Sequence, residues 1–308
     1  MRVYRGLSEL PRRGSPSAVT IGNFDGVHLG HVTMLRRLLL RAEESGAIPT
    51  VLTFSPHPQS VLHGEAPPSL ATPKRKLELL AEHGVKRIVI LKFNKKFSLT
   101  EPEEFISRIL IDELRTREIV VGANFRFGRM ARGDVTMLKS AGHESGFVVD
   151  GVRLAELEHR TLSSTEIRHA LAAGDIDWAN KALGRPHSVP GKVVSGAGRG
   201  KGLGYPTANL RPEPGFCLPA TGIYAGRVRL RDRIMPAAMS VGHNPTFGRN
   251  PLSVEAFVLD FDGTLRSRHV EFEFVSRIRD EAKFETAAAL SAAIAADVAE
   301  VRRLLHIR

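Results

Sequence analysis

The pattern of hydrophobic residues changes near residue 186, and this change limits the possible folds more than any other feature of the chain. Before it, short β-rich runs alternate with helical patterns. The runs lie at 18–24, 49–54, 87–91 and 118–121, and the helical patterns at 32–42, 74–82, 102–114, 164–173 and 176–183. This alternation predicts βαβ units and a parallel sheet covered by helices.

Beyond residue 186 the chain is rich in glycine and proline and has short alternating runs at 223–230, 254–261 and 270–275. These predict an antiparallel sheet or a small barrel. A last helical pattern, 286–305, has one apolar stripe and is expected to pack across that barrel. At about 150 residues per domain, the 308 residues indicate two domains, although a single large barrel also fits the length.

The net charge of +11 is spread along the chain, because residues 1–186 carry +6 and residues 187–308 carry +5. Nucleic-acid binding needs clustered basic side chains, which release counterions from the phosphate backbone. The diffuse excess suits small anionic substrates equally well. We therefore expect small-molecule partners and no nucleic acid.

One cysteine, Cys217, permits neither an intrachain disulfide nor a cysteine-based zinc site. The longest charge-free apolar stretch near the C-terminus, 286–296, is shorter than the about 20 residues that span a bilayer. Residues 1–20 contain no continuous apolar segment of the kind found in secretory signals. We expect a cytoplasmic protein without a membrane span.

The segment GNFDGVHLGH at 22–31 follows a predicted strand and opens a predicted helix. Ligands of α/β sheets bind at the carboxyl ends of strands, where helix N-terminal amides attract phosphate. His28 and His31 flank Gly30 and are expected to project into the same space. Two imidazoles there can donate hydrogen bonds to phosphate oxygens and stabilise charge on phosphorus. The structural alternative is one capping and one surface histidine.

A second polar group opens the helical pattern at 164–173. Ser163 and Glu166 have the spacing of a capping box, which is a purely structural reason for their presence. In the same turn Ser164, Thr165 and Arg168 offer two hydroxyls and a guanidinium, which can bind triphosphate oxygens.

Glycine occupies every second position from 196 to 204, and such a loop can present backbone N–H groups to phosphate. The string is neither a Walker A motif nor a dinucleotide-binding fingerprint, and a surface loop explains it equally well. Just after it, Thr207 and Asn209 share one face of an extended chain. Their oxygens suit Mg²⁺ bound together with nucleotide phosphates.

In this order the strings resemble the motifs of the bacterial bifunctional riboflavin kinase/FMN adenylyltransferase (FAD synthetase) family. The N-terminal strings are GNFDGVHLGH with its HxGH signature, TFSPHP at 53–58, GANFRFG at 122–128 and SSTEIR at 163–168. The C-terminal strings are LGYPTAN at 203–209, GIYA at 222–225, VGHNPTFG at 241–248 and VEAFVLDF at 254–261. The resemblance thus covers nearly the whole chain.

The resemblance implies a doubly wound, Rossmann-like α/β nucleotidylyltransferase domain over residues 1–186. It also implies a riboflavin kinase-like antiparallel Greek-key β-barrel of six strands with a terminal helix over residues 187–308. The implied barrel reaction phosphorylates riboflavin to FMN with ATP and Mg²⁺. The implied N-terminal reaction joins FMN to the AMP of a second ATP, forming FAD and releasing pyrophosphate.

The resemblance also implies a role for individual residues. In FMN adenylylation, the catalytic residues are His28 and His31, the ATP-binding residues are Asn23, Asn124, Ser164, Thr165 and Arg168, and the flavin-binding residues are Phe54, Pro56, Pro58 and Phe125. In the kinase, the catalytic base is Glu255, the phosphate-binding residues are Gly198, Gly200, Gly202 and Gly204, and the metal ligands are Thr207 and Asn209.

The chain departs from the family pattern in two places. Phe257 stands where His is frequent, and Arg266-Ser267 where the family usually has Tyr-Gly. The second change is expected to affect the efficiency of the kinase more than its identity. Asn124 fits the family motif, in which many relatives have Asp at this position.

Three other readings of the sequence stay open. The string DFDGT at 260–264 fits the first motif of haloacid-dehalogenase-type phosphatases, but the 46 residues after Asp262 (308 − 262) are too few for the rest of that fold. The chain can also have the predicted fold with one activity only. A basic nucleic-acid-binding protein with a vestigial nucleotide site is the third reading.

Overall fold

The computed structural model describes residues 1–11, 14–196, 202, 204–243 and 252–307. The chain forms two compact units, Met1–Ser163 and Ser164–Arg308. The predicted functional boundary at residue 186 is a separate matter and stays a prediction.

The first unit contains ten strands and six α-helices among its described residues. The strands are β1 (Arg2–Tyr4), β2 (Ser17–Ile21), β3 (Ile48–Ser55), β4 (Arg87–Lys92), β5 (Thr116–Gly122), β6 (Arg126–Phe127), β7 (Gly133–Asp134), β8 (Val148–Val152), β9 (Glu156–Leu157) and β10 (Arg160–Thr161). The helices are α1 (Leu29–Glu44), α2 (Pro58–His63), α3 (Pro73–Glu82), α4 (Lys95–Ser98), α5 (Pro102–Glu104) and α6 (Val135–Ser145). Helix α5 continues as a π-helix, Phe105–Glu113.

Six of these strands form one parallel sheet in the order β1-β4-β3-β2-β5-β8. The chain winds from β2 through β3 to β4 on one side and continues with β5 and β8 on the other. The strand order therefore reverses between β2 and β5, and the crevice outside their carboxyl ends is where doubly wound sheets bind ligands. The predicted doubly wound α/β fold is confirmed.

The sheet is covered on both faces because its strands are apolar on both faces. Neighbouring residues of β2 point to opposite faces of the sheet and pack into different hydrophobic cores. Ala18 packs into the core that contains Leu35 of α1. Val19 packs into the core that contains Ile109 of the π-helix. A parallel strand buried on both sides reads as a continuous apolar run rather than as an alternation. This explains why the strand patterns of the first half are so easily recognised in the sequence.

The second unit contains three helices and six strands among its described residues. They are α7 (Ser164–Ala173), α8 (Ile176–Leu183), β11 (His187–Val194), β12 (Thr207–Pro212), β13 (Gly222–Leu230), β14 (Arg233–His243), β15 (Leu252–Val258), β16 (His269–Arg279) and α9 (Ala287–Leu304). The strands close into an antiparallel barrel in the order β11-β12-β15-β14-β13-β16. The implied six-stranded barrel with a terminal helix is confirmed.

Helix α9 packs on the barrel through Val298, Val301 and Leu305, as its apolar stripe predicts. Helix α8 is fastened to the barrel by hydrogen bonds. Asn180 Nδ2 donates to the carbonyls of Phe274 and Val275 at 2.9 and 3.0 Å, and Asn180 Oδ1 accepts the His187 N–H at 2.7 Å. The two helices before the barrel therefore belong to the barrel unit.

The predicted helices 164–173 and 176–183 have the observed bounds, whereas the segment predicted as a helix at 102–114 is largely a π-helix. Several elements have no clear sequence signal, among them the short β1 and α2 and the eight-residue β11. No helix in the described part of the chain is long and apolar enough to cross a membrane.

Candidate active sites

The first site lies at the start of α1, directly after the loop that follows β2. His28 is the N-cap of α1, and its Nδ1 accepts the backbone N–H of His31 at 3.4 Å. The two imidazoles stack with 3.7 Å between ring centroids. Because Nδ1 of His28 accepts a hydrogen bond, the ring proton is on Nε2, which makes Nε2 a donor. The prediction that both histidines face one space is met by this stacking.

The loop before the histidines has an unusual backbone. Phe24 and Val27 have φ angles of 52° and 40°, a left-handed conformation that is costly for residues with a large side chain. Both side chains are 1% exposed, so their burial holds the loop in this shape. Strain of this kind is concentrated at functional sites, where packing compensates for it.

Gly30 is required for the approach of α1 to the segment after β10. A Cβ atom at this position would lie 2.8 Å from the Leu162 carbonyl oxygen and 3.0 Å from the His28 imidazole. Any larger residue would displace one or both of these groups. The glycine between the two histidines therefore sets the position of His28.

Burial keeps His31 neutral. The pKa of His31 lies well below its usual value, first because its ring is shielded from water and also because His28 and Lys76 are close by. Its Nδ1 is buried and has no hydrogen-bond partner among the described residues. A neutral imidazole with a spare nitrogen can bind a ligand oxygen.

Lys76 of α3 reaches this site, although nothing in the sequence indicated it. Its Nζ donates to the Asn23 carbonyl at 3.2 Å and lies 3.5 Å from Thr53 Oγ1. Burial lowers the pKa of Lys76, and the nearby Asp25 opposes that shift. A lysine on an amphipathic helix usually faces solvent, so only the packing of α3 against the loop shows this role.

The predicted flavin residues lie at the end of β3 and the start of α2. Phe54 is in β3, and its ring is 5.8 Å from that of Phe93. Pro58 is the first residue of α2, whose N-cap is His57. The side-chain amide of Asn23 lies 3.0 Å from His57 Nε2, so this loop contacts the loop before the histidine pair.

The remaining predicted residues of this activity lie on other elements. Asn124 and Phe125 follow β5, which is the neighbour of β2, and the Phe125 ring stacks on Phe127 at 5.7 Å. Asn124 is exposed. Ser164, Thr165 and Arg168 are in the first turns of α7, which belongs to the second compact unit.

The second site lies on the outer face of the barrel. Glu255 of β15 is paired with Asn209 of β12, and Thr207 lies two residues from Asn209 on the same face. Thr207 Oγ1 donates to Glu255 Oε2 at 2.9 Å. The predicted extended geometry of Thr207 and Asn209 is observed, and the fold brings Glu255 to them.

An apolar cavity of about 390 Å³ opens beside Glu255. Its aromatic lining consists of Tyr205, Phe257 and Phe284, and Leu290 and Ile294 of α9 close it. The rings of Tyr205 and Phe257 meet edge to face at 5.2 Å, which gives a structural reason for Phe257. Such a lining suits a flat heteroaromatic ring.

The barrel has a second cavity, of about 360 Å³. Its lining includes Gly196, Pro206 and Arg266. Thr207 borders both cavities. A group held in one cavity can therefore meet a group held in the other at Thr207.

The glycine-rich loop is described only in part, and Gly198 and Gly200 lie outside the described residues. Gly204 has a φ of 83°, which favours glycine. At Gly196 a Cβ atom would lie 2.3 Å from Asn209 Nδ2, so the backbone at this one residue lies close to that amide. This close approach explains the glycine at 196.

Asp260, the first residue of the DFDGT string, has a structural role. It lies in the turn after β15 with a φ of 53°, and its Oδ1 accepts from Arg302 of α9 at 2.6 Å. The phosphatase motif requires a parallel sheet, whereas this turn belongs to a closed antiparallel barrel. The expectation that this string is not a phosphatase motif agrees with the fold.

The fold and these two sites define a nucleotidylyltransferase-type α/β unit together with a barrel that carries a kinase-type carboxylate. The family model for FAD synthetase matches residues 11–166, and that for riboflavin kinase matches residues 183–305. The chain therefore belongs to the bifunctional riboflavin kinase/FMN adenylyltransferase family.

Named relatives and a solved structure agree with this assignment. The bifunctional riboflavin kinase/FMN adenylyltransferase of Pseudomonas fluorescens is 37% identical over 99% of this chain and 98% of its own length. The Escherichia coli K12 protein of the same name is 34% identical over 100% and 99%. A crystal structure from Streptococcus pneumoniae, described as a macrolide-efflux protein, is 30% identical with a TM-score of 0.89 and covers 98% of both chains.

Proposed function

We propose that this chain makes FMN from riboflavin at the barrel site and FAD from FMN at the histidine site, with ATP as the second substrate of both reactions. The observation that carries the proposal is the contact between Thr207 and Glu255 at the border of two cavities, together with the stacked His28–His31 pair in the other unit. Each unit thus has its own reactive groups.

In the kinase reaction, riboflavin occupies the aromatic cavity with its ring between Tyr205, Phe257 and Phe284. ATP occupies the neighbouring cavity, with Gly198, Gly200, Gly202 and Gly204 near its phosphates. Glu255 accepts the proton of the terminal ribityl hydroxyl as that oxygen attacks the γ-phosphorus, and ADP leaves. The hydrogen bond from Thr207 orients the carboxylate before the hydroxyl arrives.

A hard divalent cation fits the donor set at this site. Thr207 Oγ1 lies 2.9 Å from the Glu255 carboxylate, and Asn209, the strand partner of Glu255, brings a side-chain amide to the same face. Hydroxyl, amide and phosphate oxygens are ligands that Mg²⁺ accepts. No group of three or more His, Cys, Asp or Glu side chains suitable for a metal exists in the described residues. ATP phosphates and water are the ligands that would complete the coordination of Mg²⁺. Mg²⁺ held by these residues would neutralise phosphate charge.

In the adenylylation reaction, a phosphate oxygen of FMN attacks the α-phosphorus of ATP and pyrophosphate leaves. His28 and the neutral His31 donate hydrogen bonds to the oxygens of the transferred group, and Asn23, Asn124, Ser164, Thr165 and Arg168 bind ATP phosphates. Phe54, Pro56, Pro58 and Phe125 contact the flavin. No covalent intermediate on the protein is needed, because the reaction requires only alignment and charge stabilisation.

Two variants test the assignment of each activity to its own site. Glu255→Gln is expected to abolish FMN formation from riboflavin while FAD formation from FMN continues. The double variant His28→Ala/His31→Ala is expected to abolish FAD formation from FMN while FMN formation from riboflavin continues. The measurement is chromatography of riboflavin, FMN and FAD after incubation with ATP and Mg²⁺.

Other outcomes of this experiment would replace the proposal. If the wild-type protein forms only one of the two products, the chain retains a single activity. Binding of RNA or DNA that weakens steeply with salt, without any flavin product, would favour the nucleic-acid alternative.

The single cysteine favours a cytoplasmic location for both reactions.

A further inference from the structure

The second cavity of the barrel has one charged side chain in the described part of its lining, and that is Arg266. The other polar side chains there are the hydroxyls of Ser195, Thr207 and Thr264, and most of the remaining lining is apolar. The described lining therefore carries one positive charge and no negative charge. Such a cavity is suited to a ligand that has both an anionic and an apolar part.

The guanidinium group of Arg266 has no hydrogen bond or ion pair with the described part of the protein. The hydrogen bond that holds this residue in its turn comes from the main chain, whose N–H donates to Thr264 Oγ1 at 3.2 Å. By contrast, Arg279 of the same unit binds the Asp297 carboxylate at 2.7 Å. The five N–H donors of the Arg266 guanidinium are therefore available to a ligand in the cavity.

The turn that carries Arg266 is fixed by main-chain hydrogen bonds to β11. The Ser267 N–H donates to the Val193 carbonyl, and the Val193 N–H donates to the Arg268 carbonyl, both at 2.9 Å. Two residues of the turn thus oppose one residue of β11, which is a β-bulge. The Leu265 side chain anchors the turn, because it is 5% exposed. Arg266 is therefore held beside the end of β11 on a well-supported backbone.

The same end of β11 lies next to the proposed kinase residues. Val194 of β11 is paired with Asn209 of β12, and Asn209 is paired with Glu255 of β15. Since neighbouring strands are about 4.8 Å apart, the turn with Arg266 lies about 10 Å from β12 and about 14 Å from β15, measured along the sheet. Thr207 borders both cavities. A nucleotide whose γ-phosphate reaches Glu255 therefore extends past Thr207 into the cavity that Arg266 lines.

We infer that Arg266 binds the α- and β-phosphates of ATP during riboflavin phosphorylation. Arginine suits this task because its planar guanidinium forms two parallel hydrogen bonds to phosphate oxygens. The inference rests on the proposed kinase reaction and adds to it the one positive charge in the described lining of the ATP cavity. Since the family usually has Tyr at this position, the motif resemblance does not predict the contact.

The proposed contact predicts a change in KM rather than in kcat. The α- and β-phosphates stay on ADP, so Arg266 contacts them before, during and after transfer of the γ-phosphoryl group. An interaction that is equally strong in the ground state and the transition state affects KM alone. We expect Arg266→Gln to raise the KM for ATP in riboflavin phosphorylation and the inhibition constant of ADP about tenfold each, the effect of one charged hydrogen bond, and to leave kcat within about twofold of wild type.

Two further variants separate the charge of Arg266 from other effects. Arg266→Lys keeps the positive charge and should raise the KM for ATP by no more than about threefold, since lysine also binds phosphate. Arg268→Gln removes another exposed charge from the same turn, outside the cavity lining, and should leave the KM for ATP unchanged. The KM for riboflavin and the rate of FAD formation from FMN should be unchanged in all three variants, which shows that both units are folded.

A wild-type KM for ATP in Arg266→Gln would overturn the inference. Equal losses in Arg266→Gln and Arg266→Lys would overturn it as well, because the charge would then have no effect on binding. Equal losses in Arg266→Gln and Arg268→Gln would assign the effect to the general surface charge instead of the cavity. A lowered kcat with an unchanged KM would exclude a phosphate contact in the ground state. Absence of FMN formation by the wild-type protein would instead overturn the kinase reaction itself.

Discussion

At the scale of single residues, burial decides the charge of two histidines. His187, at the start of β11, is 1% exposed, and its Nε2 donates to the Cys217 carbonyl at 2.8 Å. Burial lowers the pKa of His187 from 6.5 to about 4, although the bond to Cys217 acts in the opposite direction. His31 is neutral for the same main reason. His31 lies in the proposed adenylylation site and His187 does not, so a lowered pKa alone does not identify an active site.

The shift at His187 predicts a loss of stability in acid. In the unfolded state His187 is protonated below about pH 6.5, whereas in the folded state it is protonated only below about pH 4. The contribution of neutral His187 to stability is therefore complete above pH 6.5 and is lost as the pH falls from 6.5 to 4. We expect the free energy of unfolding to fall by about 3 kcal/mol between these limits. Trp178, the only tryptophan, is buried in α8 and reports on this unit in urea titrations followed by fluorescence.

His187→Gln is the matched control, because glutamine can donate to the same carbonyl and does not titrate. Its stability, followed by Trp178 fluorescence, should fall much less than that of the wild-type protein over the same pH range. A pH dependence as steep as that of the wild-type protein would assign the effect to other groups.

At the scale of elements, Gly30 determines how α1 begins. In an exposed helix, Gly→Ala stabilises by about 1 kcal/mol. Here the added methyl group would lie 2.8 Å from the Leu162 carbonyl oxygen and would push on His28. We expect Gly30→Ala to lower FMN adenylylation at least tenfold and to leave riboflavin phosphorylation unchanged, as measured by product formation from each flavin.

A second substitution in α1 provides the comparison. Thr33→Ala also raises helix propensity, but it lies on the exposed side of the helix. It should leave both activities intact. If Gly30→Ala behaves like Thr33→Ala, the close approach does not position His28.

Helix α9 closes the aromatic cavity and is held there by an ion pair. Arg279 of β16 donates from Nε and Nη2 to the two carboxylate oxygens of Asp297 at 2.8 and 2.7 Å, and Asp297 is 6% exposed. Asp297→Asn removes the charge and one acceptor. Because Arg279 is partly exposed, we expect a loss of about 2 kcal/mol rather than the 3–5 kcal/mol of a fully buried pair.

Since Arg279 and Asp297 also line the cavity, the same variant should raise the KM for riboflavin more than the KM for ATP. The measurements are urea unfolding followed by Trp178 fluorescence and steady-state kinetics. Glu300→Gln breaks an exposed pair with Arg303 on the same helix and should change neither quantity. An unchanged KM for riboflavin in Asp297→Asn would show that the position of α9 does not affect flavin binding.

At the scale of the whole molecule, the compact units and the predicted functional halves have different boundaries. Helices α7 and α8 precede residue 187, yet Asn180 ties α8 to β16 and to the start of β11. We therefore expect fragment 164–308 to melt at a higher temperature than fragment 187–308, in a thermal unfolding scan. Removal of α8 leaves three backbone groups of the barrel without their hydrogen-bond partner and exposes the surface that covers Trp178.

Riboflavin phosphorylation by fragment 164–308 is the functional control in this comparison. Equal melting temperatures of the two fragments would show that the barrel does not depend on α7 and α8. In that case residue 187 would mark the start of both the kinase domain and the independently stable unit.

The sequence by itself determined the class of fold and the two types of chemistry. The strands of the parallel sheet are apolar on both faces, and the reactive motifs lie next to recognisable strands or helices. Local patterns therefore singled out His28, His31 and Thr207 as candidates, whereas Glu255 was predicted only through the family resemblance. Tertiary structure decided which distant residues meet them. Lys76 and the Arg279–Asp297 pair have no local signal, because each makes its contact with a partner at least 18 positions away. Periodicity reports which face of an element is buried, whereas the contact of one side chain with another depends on how those elements pack.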